Sequence, residues 1–171
     1  MPTLPSAYQT LITPLIDTAR KTAERGETLA TMAFVGNLDT GETRIVPIVD
    51  QHKDACLRAI RHVAHLIGAD FVFTIAEGWG LAKDKVARYQ EILDRYGSIG
   101  ASPYRVDTVN FLLETHHGLW SAQLPLKLKG VSKKRRTFGT PKLVLGDEMQ
   151  GRFVGLLPVK DGNRGATGGL H

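Results

Sequence analysis

Two runs of apolar and β-branched residues, Tyr104 to Thr115 and Leu119 to Leu128, are separated only by His116-His117-Gly118. No other feature constrains the fold as tightly. A connection this short cannot carry a crossover, so the two strands must pair antiparallel. An isolated strand pair is at best marginally stable in water, so the rest of the chain has to extend it and cover it.

The flanking segments can do both. Leu11, Ile12, Leu15, Ile16 and Ala19 share one helical face, with Ser6 as a candidate N-cap and Gly26 as the stop. Pro14 is expected to kink this helix, or Thr13-Pro14 to begin a shorter one. Leu29 to Val35 and Thr43 to Val49 flank the turn residues Gly36 to Gly41 and read as a hairpin. Pro47 lacks a ladder donor, which places the second strand at a sheet edge or a bulge. Cys56, Ile60, Val63 and Ile67 form the stripe of an amphipathic helix, with Asp50 as candidate N-cap and Gly68 as its end. Phe71 to Ala76 reads as a buried central strand leading into a loop at Glu77-Gly78-Trp79-Gly80. Asp84 to Tyr96 repeats the amphipathic pattern with Val86, Tyr89, Leu93 and Tyr96, before a loop from Gly97 to Pro103. Lys129 to Arg136 is a basic loop. Thr137 to Leu145 and Phe153 to Leu157 read as a last strand pair.

The expected class is therefore α+β. The order is helix, two strands, helix, strand, helix, then three or four strands. It implies a mostly antiparallel sheet of five to six strands with helices packed on one face. This order resembles profilin-like and Roadblock-like scaffolds, a likeness of fold that fixes no function. Residues 1–158 are expected to form one domain, and the glycine-rich residues 159–171 a disordered tail.

Composition agrees. The chain has 171 residues, 42% hydrophobic and 23% charged, as a single globular domain needs. One cysteine, Cys56, rules out an intrachain disulfide framework and fits a reducing compartment. It lies on the apolar stripe and is expected to pack rather than react. No run approaches the ~20 apolar residues that span a bilayer. No basic segment leading into an apolar run opens the chain. A cytoplasmic location without a membrane partner is expected.

Three features compete as sites. The first is Ala76-Glu77-Gly78-Trp79, a carboxylate and an aromatic where a strand meets a loop. Glu77 could act as a general base, and a small hydrolase centred on it is one reading. The plainer reading makes Trp79 a core cap and Glu77 a partner for backbone amides or an arginine. This segment, followed by Ser102-Pro103-Tyr104-Arg105 and Glu114-Thr115-His116-His117-Gly118, resembles a family of small uncharacterised bacterial and phage proteins. The resemblance covers residues 29–128. Relative to it, the helix at 84–96 is an insertion and Gly78 stands where alanine is usual. The family lends no activity. It implies that Glu77, Trp79 and Arg105 belong to one local feature, closed by a Glu77–Arg105 ion pair.

The second feature is histidine. His62 and His65 are one helical turn apart, and His116 and His117 sit in a turn. No H-E-x-x-H is present, and one cysteine cannot build the zinc site of the deaminases that share part of this element order. No glycine-rich dinucleotide motif, phosphate loop or Gly-x-Ser-x-Gly occurs. No metal and no cofactor are expected.

The third feature is charge. The formal net charge is +5. Lys127, Lys129, Lys133, Lys134, Arg135 and Arg136 crowd one loop, and Arg58, Arg61, His62 and His65 line one helix face. Such clusters can neutralise phosphates, and Phe138 could stack on a base. The plain alternative is a solvated loop whose lysines guard a sheet edge.

The pattern favours binding over catalysis. The leading expectation is a non-catalytic accessory or interaction protein, of phage or mobile-element type. It would bind a macromolecular partner or itself, as a homodimer through a sheet edge or the inserted helix. Nucleic-acid binding through the 127–136 loop and the 58–65 stripe is the alternative.

Overall fold

The computed structural model describes residues 3–146 and 155–158. The expected strand at 153–157 falls partly outside them, and residues 155–158 form no strand. Residues 159–171, read as a tail, lie outside them altogether.

The chain opens with helix α1, Ser6–Glu24, which runs unbroken through Pro14. The proline ring sits on the exposed face. The carbonyl that loses its amide partner there can be solvated, which is why the expected break does not occur. Threonine hydroxyls at 10, 13, 18 and 22 donate to the carbonyls four residues back along the same helix.

Strands β1, Met32–Gly36, and β2, Thr43–Pro47, form the expected hairpin. A 3₁₀ turn at Asp50–His52 leads into helix α2, Lys53–Ile67. Asp50 therefore lies one turn ahead of the helix rather than capping it. Gly68 ends α2 in the left-handed conformation. Strand β3 runs from Phe71 to Leu81, five residues past the expected end. The expected second amphipathic helix divides into a 3₁₀ segment, Lys83–Arg88, and a short helix α3, Tyr89–Tyr96. Strands β4, Arg105–Thr115, and β5, Gly118–Pro125, follow. Among the described residues three two-residue strands follow: β6, Lys127–Leu128, β7, Arg136–Thr137, and β8, Val144–Leu145. The expected strand from Leu119 to Leu128 therefore breaks at Leu126, and the one from Thr137 to Leu145 forms only at its two ends.

The main sheet has six strands in the order β2-β1-β3-β4-β5-β8, all antiparallel. β6 and β7 form a separate ribbon. The class is α+β, as the strand spacing predicts. The helices do not share one face. β1 and β3 carry apolar side chains on both sides, so both sides must be covered. Phe34, Phe71, Phe73, Phe111 and Leu113 pack under α1 with Tyr8, Ile12 and Ile16. Ala33, Val35 and Val72 point the other way, onto Cys56, Leu57, Ile60 and Ala64 of α2. Each fully buried phenylalanine contributes about 1.5–3 kcal/mol. Phe73 and Phe111 stack with ring centroids 6.0 Å apart. Gly36 permits the closest approach in this core: a Cβ there would lie 2.2 Å from the Phe71 ring.

Candidate functional site

Because β3 extends to Leu81, the Glu77-to-Trp79 motif is within a strand and not on a loop. Its partner in the ladder is β4, with Glu77 opposite Val109 and Trp79 opposite Asp107. Glu77 therefore points to the same side as Phe73 and Ile75, the α1 side. There its carboxylate accepts from the Leu29 backbone N–H at 2.9 Å and from the Arg136 guanidinium at 2.6 Å. The pair is largely withdrawn from solvent, with side-chain exposures of 17% for Arg136 and 24% for Glu77.

Arg105 is not the partner of Glu77. Its guanidinium donates to the Gly100 carbonyl at 3.2 Å, lies 3.8 Å from Asp107, and sits over the Trp79 ring at 5.8 Å. Thus Trp79 and Arg105 do form one local feature, while Glu77 joins a different one. The reason is register: Arg105 pairs with Leu81, four residues beyond Glu77. With its oxygens engaged by an amide and an arginine, Glu77 has the surroundings of a structural carboxylate. Three elements meet on it: the segment before β1, the central strand, and the β6–β7 ribbon.

That ribbon carries the basic loop. It is held to α1 at its base. The Thr137 hydroxyl donates to Glu24 at 2.8 Å, and Lys129 lies 3.3 Å from the same carboxylate. The Thr137 hydroxyl first, then Lys129, holds the Glu24 carboxyl below its usual range. Arg20 donates to the Phe138 and Gly139 carbonyls and lies over the Phe138 ring at 4.9 Å. Phe138 is only 5% exposed and packs on Phe111. It cannot stack on a base, because the core needs the ring more than the surface does. Arg136 is taken by Glu77. Lys127, Lys133, Lys134 and Arg135 remain exposed, and among the described residues they form no ion pair.

Arg58, Arg61, His62 and His65 are exposed on α2, as expected. But α2 covers the opposite side of the sheet from the ribbon. The two basic clusters do not form one surface. Among the described residues no group of three or more His, Cys, Asp or Glu could hold a metal ion, and no helix is long and apolar enough to cross a membrane. Cys56 is buried in the α2 core, where its sulfur accepts from the Val49 N–H at 3.4 Å.

One feature escapes the sequence: the burial of Glu114 on the α2 side of β4. Both its oxygens accept from the Leu156 N–H, at 3.0 and 3.2 Å. Burial pushes its pKa up, against the backbone amides at 155–157 and the charge of Arg61. It ties residues 155–158 to the sheet, with Leu156 in the α2 core.

β2 lies at the sheet edge, as Pro47 implies, and its outer side is open. The Ile48 N–H donates to the Thr31 carbonyl, and the Glu42 carbonyl accepts from Asn37. Even-numbered residues therefore bond to β1, and the amides of Thr43 and Ile45 point outward. Pro47 falls in the same outward series, where its missing N–H costs the ladder nothing. Ile45 is 58% exposed. It borders a groove of about 450 Å³ lined by Leu15, Ala19, Leu29, Met32 and Phe34.

No family model, curated protein or solved structure matches the chain.

Proposed function

We propose that this chain is a non-catalytic interaction protein that associates with a second copy of itself through the outer edge of β2. The observation that carries the reading is that edge: two outward amides, an exposed isoleucine, and an apolar groove beside it. Unpaired edges of this kind are templates for another strand. Native edges are usually broken by charge or shortness. Here the other edge, β8, is two residues long, whereas β2 has five.

A second copy fits the edge on its own terms. An antiparallel pair that sets Thr43 against Ile45 of the other copy uses every outward amide on β2. Such pairing has two-fold symmetry and closes on itself. It brings two Arg44 side chains together, and each already has Glu42 at 2.8 Å to offset its charge. Ile45 would leave solvent, and the two apolar grooves would lie side by side. Pro47 ends the pairing, which limits it to one short strand.

The test is light scattering coupled to size exclusion over a range of protein concentrations. The wild type is expected to approach twice the chain mass. Ile45→Lys, at a side chain already 58% exposed in the monomer, is expected to stay at one chain mass. A wild type that remains monomeric at every concentration would overturn the reading.

A further inference from the structure

The exposed cations of the basic loop are presented by a fixed scaffold. The Lys129 N–H donates to the Arg135 carbonyl at 2.8 Å and closes the loop. The Ser132 hydroxyl oxygen accepts from the amides of Lys134 and Arg135, at 3.2 and 3.0 Å. Lys134 lies against Gly26 just past α1, where a Cβ on Gly26 would come 3.4 Å from the Lys134 Cβ and 3.7 Å from its backbone. The ribbon base is bonded to Glu24, Glu77 and Arg20. The end of α1 on which it rests carries two more exposed cations, Lys21 and Arg25, the latter 3.4 Å from the Glu27 carboxylate. The positive surface is thus composed of two segments over 100 residues apart in sequence.

We propose that this surface binds the phosphate backbone of duplex nucleic acid, without reading its sequence. A pre-set backbone spares the cost of ordering the loop when its lysines and arginines meet phosphates, and phosphate contacts position without specifying. Single strands are less suited, because they need an aromatic platform and Phe138 is committed to the core. The surface lies on the α1 side, so it does not include Arg58 or Arg61. This proposal stands apart from association through β2 and survives its failure.

The experiment is fluorescence anisotropy of a labelled DNA duplex of arbitrary sequence, titrated with the full chain at several salt concentrations. With Lys127, Lys133, Lys134 and Arg135 each neutralising one phosphate, affinity is expected to fall roughly 100-fold between about 50 and 200 mM salt. The variant K133Q/K134Q/R135Q is expected to lose most of that binding and most of the salt dependence. The charge-keeping variant K133R/K134R/R135K should retain both, which separates charge from loop structure. R58Q/R61Q should bind as the wild type does. No duplex binding at about 50 mM salt overturns the proposal. So does binding that depends on Arg58 and Arg61 instead, or a clear preference for single strands. Binding to phosphatidylserine vesicles but not to duplex would assign the surface to lipid and overturn it equally.

Discussion

Replacing Arg136 with alanine is expected to lower folding stability by about 2 kcal/mol. The magnitude follows from its contacts. One guanidinium nitrogen lies 2.6 Å from the Glu77 carboxylate and the other 3.5 Å, so only the first is a strong bond. A hydrogen bond to a charged group contributes about 1.5–3 kcal/mol, and a fully exposed pair about 0–1. At 17% and 24% exposure this pair falls near the lower part of the first range. For a chain of this length, each kcal/mol shifts the melting temperature by about 2–4 °C, so a drop of roughly 4–8 °C is expected. A double-mutant cycle isolates the pair. Glu77→Gln keeps an acceptor for the Leu29 amide while removing the charge, and Arg136→Ala removes the guanidinium. Urea denaturation of both singles and the double is expected to give a coupling of about 1–2 kcal/mol. Arg105→Ala, run in the same cycle, should show no coupling to Glu77. A Glu77–Arg136 coupling below about 0.5 kcal/mol, or a larger one for Arg105, would refute the assignment.

Other outcomes follow from single contacts. Phe138→Ala is expected to destabilise the fold by about 3–5 kcal/mol, because the ring is buried on Phe111; a melting curve unchanged from wild type would place the ring outside the core. Gly36→Ala is expected to cost about 1–3 kcal/mol through overpacking against Phe71, read by denaturant midpoint. Glu114 has a raised pKa in the folded chain. Its contribution to stability is fully present below its ordinary value and is lost as pH rises through the folded value. The stability advantage of wild type over Glu114→Gln should therefore shrink as pH climbs from acid toward neutral, and a gap that widens instead would reverse the sign of the shift.

The elements were legible where period and punctuation agreed. The stripe from Cys56 to Ile67, the stop at Gly68 and the turn at His116-His117-Gly118 lie where the pattern puts them, although the strand after that turn ends at Pro125 and Lys127–Leu128 joins the ribbon instead. Pro47 at an edge was readable because a missing N–H leaves few places to stand. What failed was placement in three dimensions. Pro14 lies on a solvent-facing side of its helix, which spacing alone does not penalise. The continuation of β3 through Glu77 is set by pairing with β4, so local composition could not reveal it. The division of the helices between two faces had a signal, the near-continuous apolar runs of β1 and β3. An amide and an arginine on Glu77 match the plainer reading of that residue, but that the arginine is Arg136, 59 residues on, had no signal. Phe138 beside a basic cluster read as a stacking platform, and only the position of Phe111 shows otherwise.

Association through β2 is tested most directly at the amides themselves. Hydrogen exchange resolved by residue, measured at low and high protein concentration, reads Thr43 and Ile45 individually. Both amides point away from β1 and should exchange fast when the chain is dilute. At high concentration their exchange is expected to slow markedly, while the even-numbered amides of β2 stay protected throughout. Exchange at Thr43 and Ile45 that remains fast and independent of concentration would contradict pairing at this edge.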